Sequence, residues 1–338
     1  MSKINIPDNY IPKLDLIETE KAIKTIKDAF EKGLARKLLL TRVSAPIFLL
    51  RSTGLNDDLD GLEKAVSFTS NEIAPNQNIE IVHSLAKWKR DALHRYNFSM
   101  HTGLYTDMNA IRKDEALDNT HSIYVDQWDW ERILCKEERT LDYLKKVVKD
   151  IYSVLLDVEK LMLLQYPQLD RTILPSEIYF ITSQQLEHVF PNKTSKQREN
   201  LIAKDKKAVC ILQIGDKLAS GIPHDGRAPD YDDWSLNCDI IVWNGVLEEA
   251  LELSSMGIRV DATALQEQLT KANALNRLEL PFHQNVINDV LPLTIGGGIG
   301  QSRLCMFFLR KAHIGEVQAS LWDKETLDLC TKRNINLL

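Results

Sequence analysis

Gly296-Gly297-Gly298-Ile299-Gly300-Gln301-Ser302-Arg303, followed at once by the apolar run Leu304 to Leu309, is the stretch of this 338-residue chain that decides its fold. Glycine accepts backbone shapes that bring a ligand against the main chain. A helix start offers free N–H groups to an anion, and an arginine there can grip a phosphate through two parallel hydrogen bonds. The order reads as a glycine-rich turn that leads into a buried helix. No Gly-Lys-Ser/Thr follows, so this is not a Walker A loop, and Gln301 stands where the dinucleotide fingerprint has its third glycine. Plain helix packing gives the same pattern, so the rest of the chain must decide.

Composition sets bounds. With 44% hydrophobic residues the chain can bury a large core. The net charge is −6 and no block of five basic residues occurs, so no long nucleic-acid tracking surface is advertised. The five cysteines (135, 210, 238, 305 and 330) contain no CxxC pair. They suggest a reduced, cytoplasmic protein with neither a disulfide frame nor a zinc site. There is no apolar signal core and no run of 18 apolar residues, so no membrane partner is expected.

No linker or repeat interrupts the chain, and residues 1–338 read as one α+β domain. Residues 17–34 carry apolar positions at helical spacing: Ile17, Ala22, Ile23, Ile26, Ala29, Phe30 and Leu34. Residues 38–43 and 47–50 read as strand on either side of Pro46, and 79–83 as a short strand. Residues 85–96 read as a helix on which Lys87, Lys89 and Arg90 default to a solvated face, with His83 and Ser84 available to cap its start. Residues 105–111 and 122–128 predict a hairpin with a long polar tip. A long helix over 137–165 and strands over 178–181, 209–214, 240–243 and 251–260 follow. Strict βαβ alternation is missing, which favours an antiparallel sheet over a doubly wound one.

Three constellations carry chemistry. On a strand through residues 122–131, Gln127, Asp129 and Glu131 share one face, while Trp128 and Trp130 share the other with Asp126. Buried carboxylates are costly unless paired, and a bound ammonium or metal would pair with them; a solvated face is the plainer alternative. The loop Arg227-Ala228-Pro229-Asp230-Tyr231-Asp232-Asp233-Trp234 offers paired carboxylates of the kind that hold Mg²⁺ beside a polyphosphate, or is an ordinary charged turn. Asp239 opens the strand 240–243, and Glu252 begins Glu252-Leu253-Ser254-Ser255-Met256-Gly257-Ile258-Arg259, whose carboxylate and guanidinium either flank one ligand or form a structural ion pair. Asp57, Asp58 and Asp60 before Gly61 look like turn chemistry.

Taken in order, these pieces resemble the three-motif core of class II aminoacyl-tRNA synthetases, a mixed, mostly antiparallel sheet flanked by helices. The segments 82–90, 103–106, 124–132, 227–234, 252–259 and 296–303 are more closely similar to ammonia-dependent asparagine synthetase (the aspartate–ammonia ligase family), over about residues 15 to 322. Two positions depart from that pattern. Asp58 makes the 57–61 run more acidic, and Cys238 replaces a glycine before Asp239, where its Cβ is expected to tighten the nucleotide pocket.

The resemblance implies ATP-dependent amidation of L-aspartate by ammonia, giving asparagine, AMP and pyrophosphate through a β-aspartyl-adenylate. It implies one catalytic domain without an anticodon-binding domain, and a homodimer joined through residues 17–50. Arg112 is expected to bridge the α-phosphate and the reacting carboxylate, and Arg303 to hold the γ-phosphate or lie near adenine. Mg²⁺ falls to Asp239 and Glu252, with Asp232 or Asp233 as the alternative. His121, Ser122, Arg227, Ser255, Gly298 and Gly300 complete the implied nucleotide site. For aspartate, Asp57, Gln127 and Asp129 face the ammonium, Lys89 or Arg259 the α-carboxylate, and Ser84 lines the pocket. Asp57 is also the candidate that deprotonates NH₄⁺. Two other readings stay open: a tRNA-charging or tRNA-modifying paralogue, and a non-catalytic nucleotide-binding relative.

Overall fold

The computed structural model describes residues 4–57 and 64–338. Asp58, Asp60 and Gly61, read above as turn chemistry, lie outside them. Helices are α1 (Leu16–Leu38), α2 (Ala86–Arg95), α3 (Leu141–Gln165), α4 (Ser183–Val189), α5 (Ser195–Lys206), α6 (Ala262–Lys271), α7 (Pro281–Ile287), α8 (Gln301–Phe308) and α9 (Lys324–Lys332). Strands are β1 (Leu40–Arg42), β2 (Phe48–Leu50), β3 (Ser67–Ser70), β4 (Ala74–Ile81), β5 (Gly103–Ile111), β6 (Tyr124–Ile133), β7 (Tyr179–Thr182), β8 (Ala208–Leu212), β9 (Asp232–Asn244), β10 (Glu249–Arg259) and β11 (Thr294–Gly300).

Eight strands make one sheet in the order β1-β5-β6-β11-β10-β9-β8-β7, and β2-β4-β3 make a small second sheet. Pairing in the large sheet is parallel only at its two edges, β1 with β5 and β7 with β8. The sheet is therefore mixed and mostly antiparallel.

Period-two alternation gives the large sheet two unlike faces. One face carries Trp128, Trp130, Met256, Ile240, Ile295 and Ile299, and it buries against the apolar stripes of α1, α3 and α8 in the main core. Phe30 of α1 lies on Trp128 with ring centroids 4.9 Å apart. Asp15 caps α1, accepting from the Glu18 N–H at 2.8 Å, and Thr140 caps α3. The opposite face is apolar only at its flanks: Leu104 and Met108 meet α2, and Ile211 and Ile241 lie in the cluster that includes Leu186 and Ile202. Its middle is polar, and there the site forms.

Several elements depart from the sequence reading. The glycine run is not a turn. It is the central strand β11, paired with β6 on one side and β10 on the other. Asp239 does not open a strand, because β9 begins seven residues earlier, at Asp232. The long helix starts at Leu141, after a short 3₁₀ turn over Lys136–Glu138. Cys238 does not tighten the nucleotide pocket: alternation turns it to the other face, fully buried in the main core.

Candidate active site

Register places the polar residues in rows across the middle of the sheet. Asp239 pairs with Ser255, Ser255 with Gly298, Gly298 with Asp129, and Asp129 with Thr106. The next row runs Asn237, Gly257, Gly296, Glu131. Directly opposed residues share a face, so the carboxylates of β6 stand over the glycines of β11. A Cβ at Gly296 would overlap the Glu131 carboxylate, and one at Gly298 would overlap the Gln127 side-chain carbonyl. The glycines are needed to leave room for polar side chains from the neighbouring strand.

Above this floor lies a cavity of about 590 Å³. Asp57, Ser84, Lys89, Arg112, His121, Ser122, Gln127, Asp129, Arg227, Asp232, Glu252, Ser255, Arg259, Gly298, Gly300 and Arg303 all line it. Residues from 57 to 303 in the sequence thus meet around one space. Asp239 stands just behind the lining, its carboxylate held by Arg227 at 2.5 Å.

The cavity's cations fall into two groups. Lys89 is fully buried, donating to Asp129 at 2.6 Å and to the Gly297 carbonyl at 2.9 Å. Arg259 clasps Glu131 with Nε and Nη2 at 2.9 and 2.7 Å, and its Nη1 donates to Asp232. Arg227 bridges Asp239 and Ser255. These three are locked to carboxylates.

Arg112 and Arg303 are not. Arg112 follows the last residue of β5 and contacts the His83 carbonyl at 3.4 Å. Arg303 rises from the first turn of α8 toward the Thr120 and Glu252 carbonyls at 3.4 and 3.3 Å, with the Glu252 carboxylate 4.0 Å away. Among the described residues neither makes a close carboxylate pair, so both guanidiniums keep donors for an incoming anion.

Acid crowding marks one wall. Burial pushes the Asp239 carboxyl up to about 7, with the Glu252 charge adding and Arg227 opposing. Burial also raises Asp225, again with Glu252 adding. A divalent cation would relieve that repulsion, and Mg²⁺ typically takes one or two carboxylates plus phosphate oxygens. Asp239 and Glu252 fit that donor set. Asp232 faces Arg259 instead of this pair, and Asp233 is drawn off to Arg139 at 2.8 Å.

Other expectations are corrected by contacts from distant segments. Lys87, Lys89 and Arg90 are not a solvated face, because α2 lies under the site with all three buried. Lys87 meets Asp230 at 3.0 Å, and Arg90 meets the Pro292 and Val260 carbonyls at 2.9 and 2.7 Å. His83 does not cap α2. Its Nδ1 faces the Asp57 carbonyl at 3.2 Å, while Ser84 accepts from the Ala86 N–H. His121 sits against Asp118 at 2.8 Å, and Ser122 pairs with Ser320 at 2.7 Å.

Sequence reasoning missed three supports. Glu131 was placed on the correct face but given no role, and it orients Arg259. Asp126 accepts from Ser302 N–H and Oγ at 3.1 and 2.9 Å, tying the start of α8, and hence Arg303, to β6. Gln318 joins that network, donating to Asp126 and Ser302 at 3.3 and 3.1 Å. Asp126 carried a sequence signal, a carboxylate on the same face as the tryptophans; Gln318 carried none.

A mixed, mostly antiparallel sheet with a polar middle, an arginine after a hairpin strand, and a second arginine on the helix after a central glycine strand are features of the class II aminoacyl-tRNA synthetase fold. Solved structures agree on the fold. Asparaginyl-tRNA synthetase from Entamoeba histolytica, in complex with asparaginyl-adenylate, superposes with a TM-score of 0.66 at 10% identity, covering 90% of this chain and 66% of that one. Asparaginyl-tRNA synthetase from Pyrococcus horikoshii, complexed with asparaginyl-adenylate, gives 0.64 at 12% identity, covering 96% and 77%.

The chain belongs to the aspartate-ammonia ligase family, whose profile matches residues 17–334. It is 59% identical to the aspartate–ammonia ligase of Clostridium perfringens over 338 residues, the full length of both. It is 56% identical to that of Levilactobacillus brevis over 333 residues, 98% of this chain and 99% of the other.

Proposed function

We propose that the protein is an aspartate–ammonia ligase that joins ammonia to the side-chain carboxylate of L-aspartate, with ATP giving AMP and pyrophosphate. The observation that carries this reading is the pair of guanidiniums, Arg112 and Arg303, free of close carboxylate partners over a floor of buried acids.

A carboxylate is a poor electrophile until its oxygen is joined to a good leaving group. In the proposed reaction the β-carboxylate oxygen attacks the α-phosphorus, the bond to pyrophosphate breaks, and β-aspartyl-adenylate forms. Ammonia then attacks the acyl carbon, loses a proton, and AMP departs. The first step needs charge neutralisation more than covalent help. Arg112 meets the α-phosphate and the β-carboxylate, and Arg303 takes the far end of the triphosphate. Arg227, Ser255, His121, Ser122, Gly298 and Gly300 line the nucleotide's path. Asp239 and Glu252 would hold Mg²⁺, which supplies further positive charge to the phosphates when bound.

For aspartate, Gln127 and Asp129 face the ammonium. Lys89 and Arg259, anchored on Asp129 and Glu131, present positive potential to the α-carboxylate. This leaves the β-carboxylate to reach Arg112. Asp57 at the cavity wall is the acceptor for the proton of NH₄⁺, since only neutral ammonia has a lone pair. The 1–338 stretch acts as one catalytic domain, and the five free cysteines support a reducing, cytoplasmic setting.

Purified protein with aspartate, ATP, Mg²⁺ and ammonium should release asparagine, AMP and pyrophosphate in equal amounts. Aspartate alone should drive ATP–pyrophosphate exchange. No pyrophosphate with all substrates present would end the proposal, and exchange driven only by added tRNA would move it to the charging enzymes.

The expected homodimer would use a specific surface. Ile17, Leu39, Ile47 and Phe48, all within the expected 17–50 interface, are exposed in the single chain. Sedimentation equilibrium should give twice the chain's 38.6 kDa, and a monomer at micromolar concentration would remove that interface.

A further inference from the structure

Away from the cavity, three residues with metal-ligating side chains meet at the far end of β6. His101 lies in the loop between α2 and β5, Cys135 two residues past β6, and Glu138 at the end of the 3₁₀ turn that follows. The imidazole nitrogen, the sulfur and the carboxylate oxygen lie within 4.8 Å of one another. His101 Nε2 is already 3.0 Å from a Glu138 oxygen.

The turn organises its own donors. The Cys135 N–H donates to Glu138 Oε2 at 2.9 Å, and the Glu138 N–H donates back to the Cys135 sulfur. A tetrahedral cation with arms of about 2.0–2.3 Å needs ligand atoms roughly 3.3–3.8 Å apart, so rotation of partly exposed side chains is enough to close the site.

We propose that His101, Cys135 and Glu138 form a binding site for a borderline-soft divalent cation, Zn²⁺ before others. One nitrogen, one sulfur and one oxygen suit zinc and do not suit Mg²⁺ or Ca²⁺. On binding, the Cys135 thiol gives its proton to solvent and His101 ligates as the neutral imidazole. The cation ties the α2–β5 loop to the end of β6, the strand that carries Asp129 and Glu131. It supplies no part of the ligase chemistry. The absence of a CxxC pair argued against zinc, but His101 comes 34 positions before Cys135, and only folding brings them together.

Co²⁺ titrated into the reduced, chelator-stripped full-length protein tests the site. One equivalent should produce a near-ultraviolet thiolate-to-cobalt absorption that Zn²⁺ then abolishes. Cys135→Ser should lose the band outright. His101→Gly should weaken binding by at least about tenfold. This variant should fold, because His101 already holds a left-handed φ of 62° that glycine adopts without strain. No band at one equivalent, or a band that survives Cys135→Ser, overturns the proposal.

Discussion

Arg112→Ala lowers aspartate-dependent ATP–pyrophosphate exchange by on the order of a hundred- to a thousandfold while leaving the fold and most of the substrate affinity in place. The expectation follows from how the side chain is held. Its backbone N–H donates to the Ile123 carbonyl at 2.9 Å, which fixes the chain at the end of the hairpin strand. Among the described residues its guanidinium has only the His83 carbonyl, at 3.4 Å, as a hydrogen-bond partner. Removing it strands no buried carboxylate among the described residues, so the stability cost should stay within about 1 kcal/mol. The loss falls on charge that grows as the α-phosphorus becomes five-coordinate, so kcat drops more than KM rises. Arg112→Lys should recover only part of the rate, because an ammonium cannot span a phosphate oxygen and a carboxylate oxygen in one plane. Steady-state and exchange kinetics decide it. If alanine raised only KM, the arginine would be a ground-state binder and the adenylation argument would fail.

The contrast with Lys89 shows what the sequence could and could not disclose. Gln127, Asp129 and Glu131 on one face and Trp128 and Trp130 on the other were legible, because strand alternation depends on nothing but position. So was the helical stripe from Ile17 to Leu34. The glycine run misled, because glycine's tolerance of turns is a local property, whereas β11 owes its composition to side chains from another strand. The Glu131 carboxylate occupies the space a Cβ at Gly296 would need. Lys87, Lys89 and Arg90 misled in the same way. Their partners lie 143, 40 and 170 to 202 positions away, so a local reading sees three charges and assigns them to water. Cys238 was read from its neighbour Asp239 alone, although alternation turns adjacent strand residues to opposite faces. The chemistry of the motifs was local and readable; the pairing of buried charges was set by tertiary contact.

That pairing makes Glu131→Gln the substitution with the largest expected effect on stability, about 3–5 kcal/mol. Glu131 is fully buried on β6. It accepts from Arg259 Nε, shared between its two oxygens, from Arg259 Nη2, and from Thr294 at 2.7 Å, with the Lys89 ammonium 4.0 Å off. Glutamine keeps the shape but removes the charge and turns an N–H₂ toward groups that only donate. Arg259 and Lys89 are then left with Asp232 and Asp129 as their carboxylate partners. Burial by itself would raise the Glu131 carboxyl. Arg259 first, then Lys89 and Thr294, overcome it and hold the group below its ordinary value. The sign of the pH effect follows. A carboxylate whose folded pKa is depressed contributes its full stability above the unfolded pKa of about 4.3, and loses it as pH falls through the folded value. The gap between wild type and Glu131→Gln in urea unfolding should therefore be wide at pH 7 and narrow in acid, with the slope against urea unchanged. Activity should fall with it, since Arg259 loses the clasp that aims it at the α-carboxylate. A gap under about 1 kcal/mol at pH 7, or one that widens on acidification, would show that Glu131 does not anchor the floor of the site.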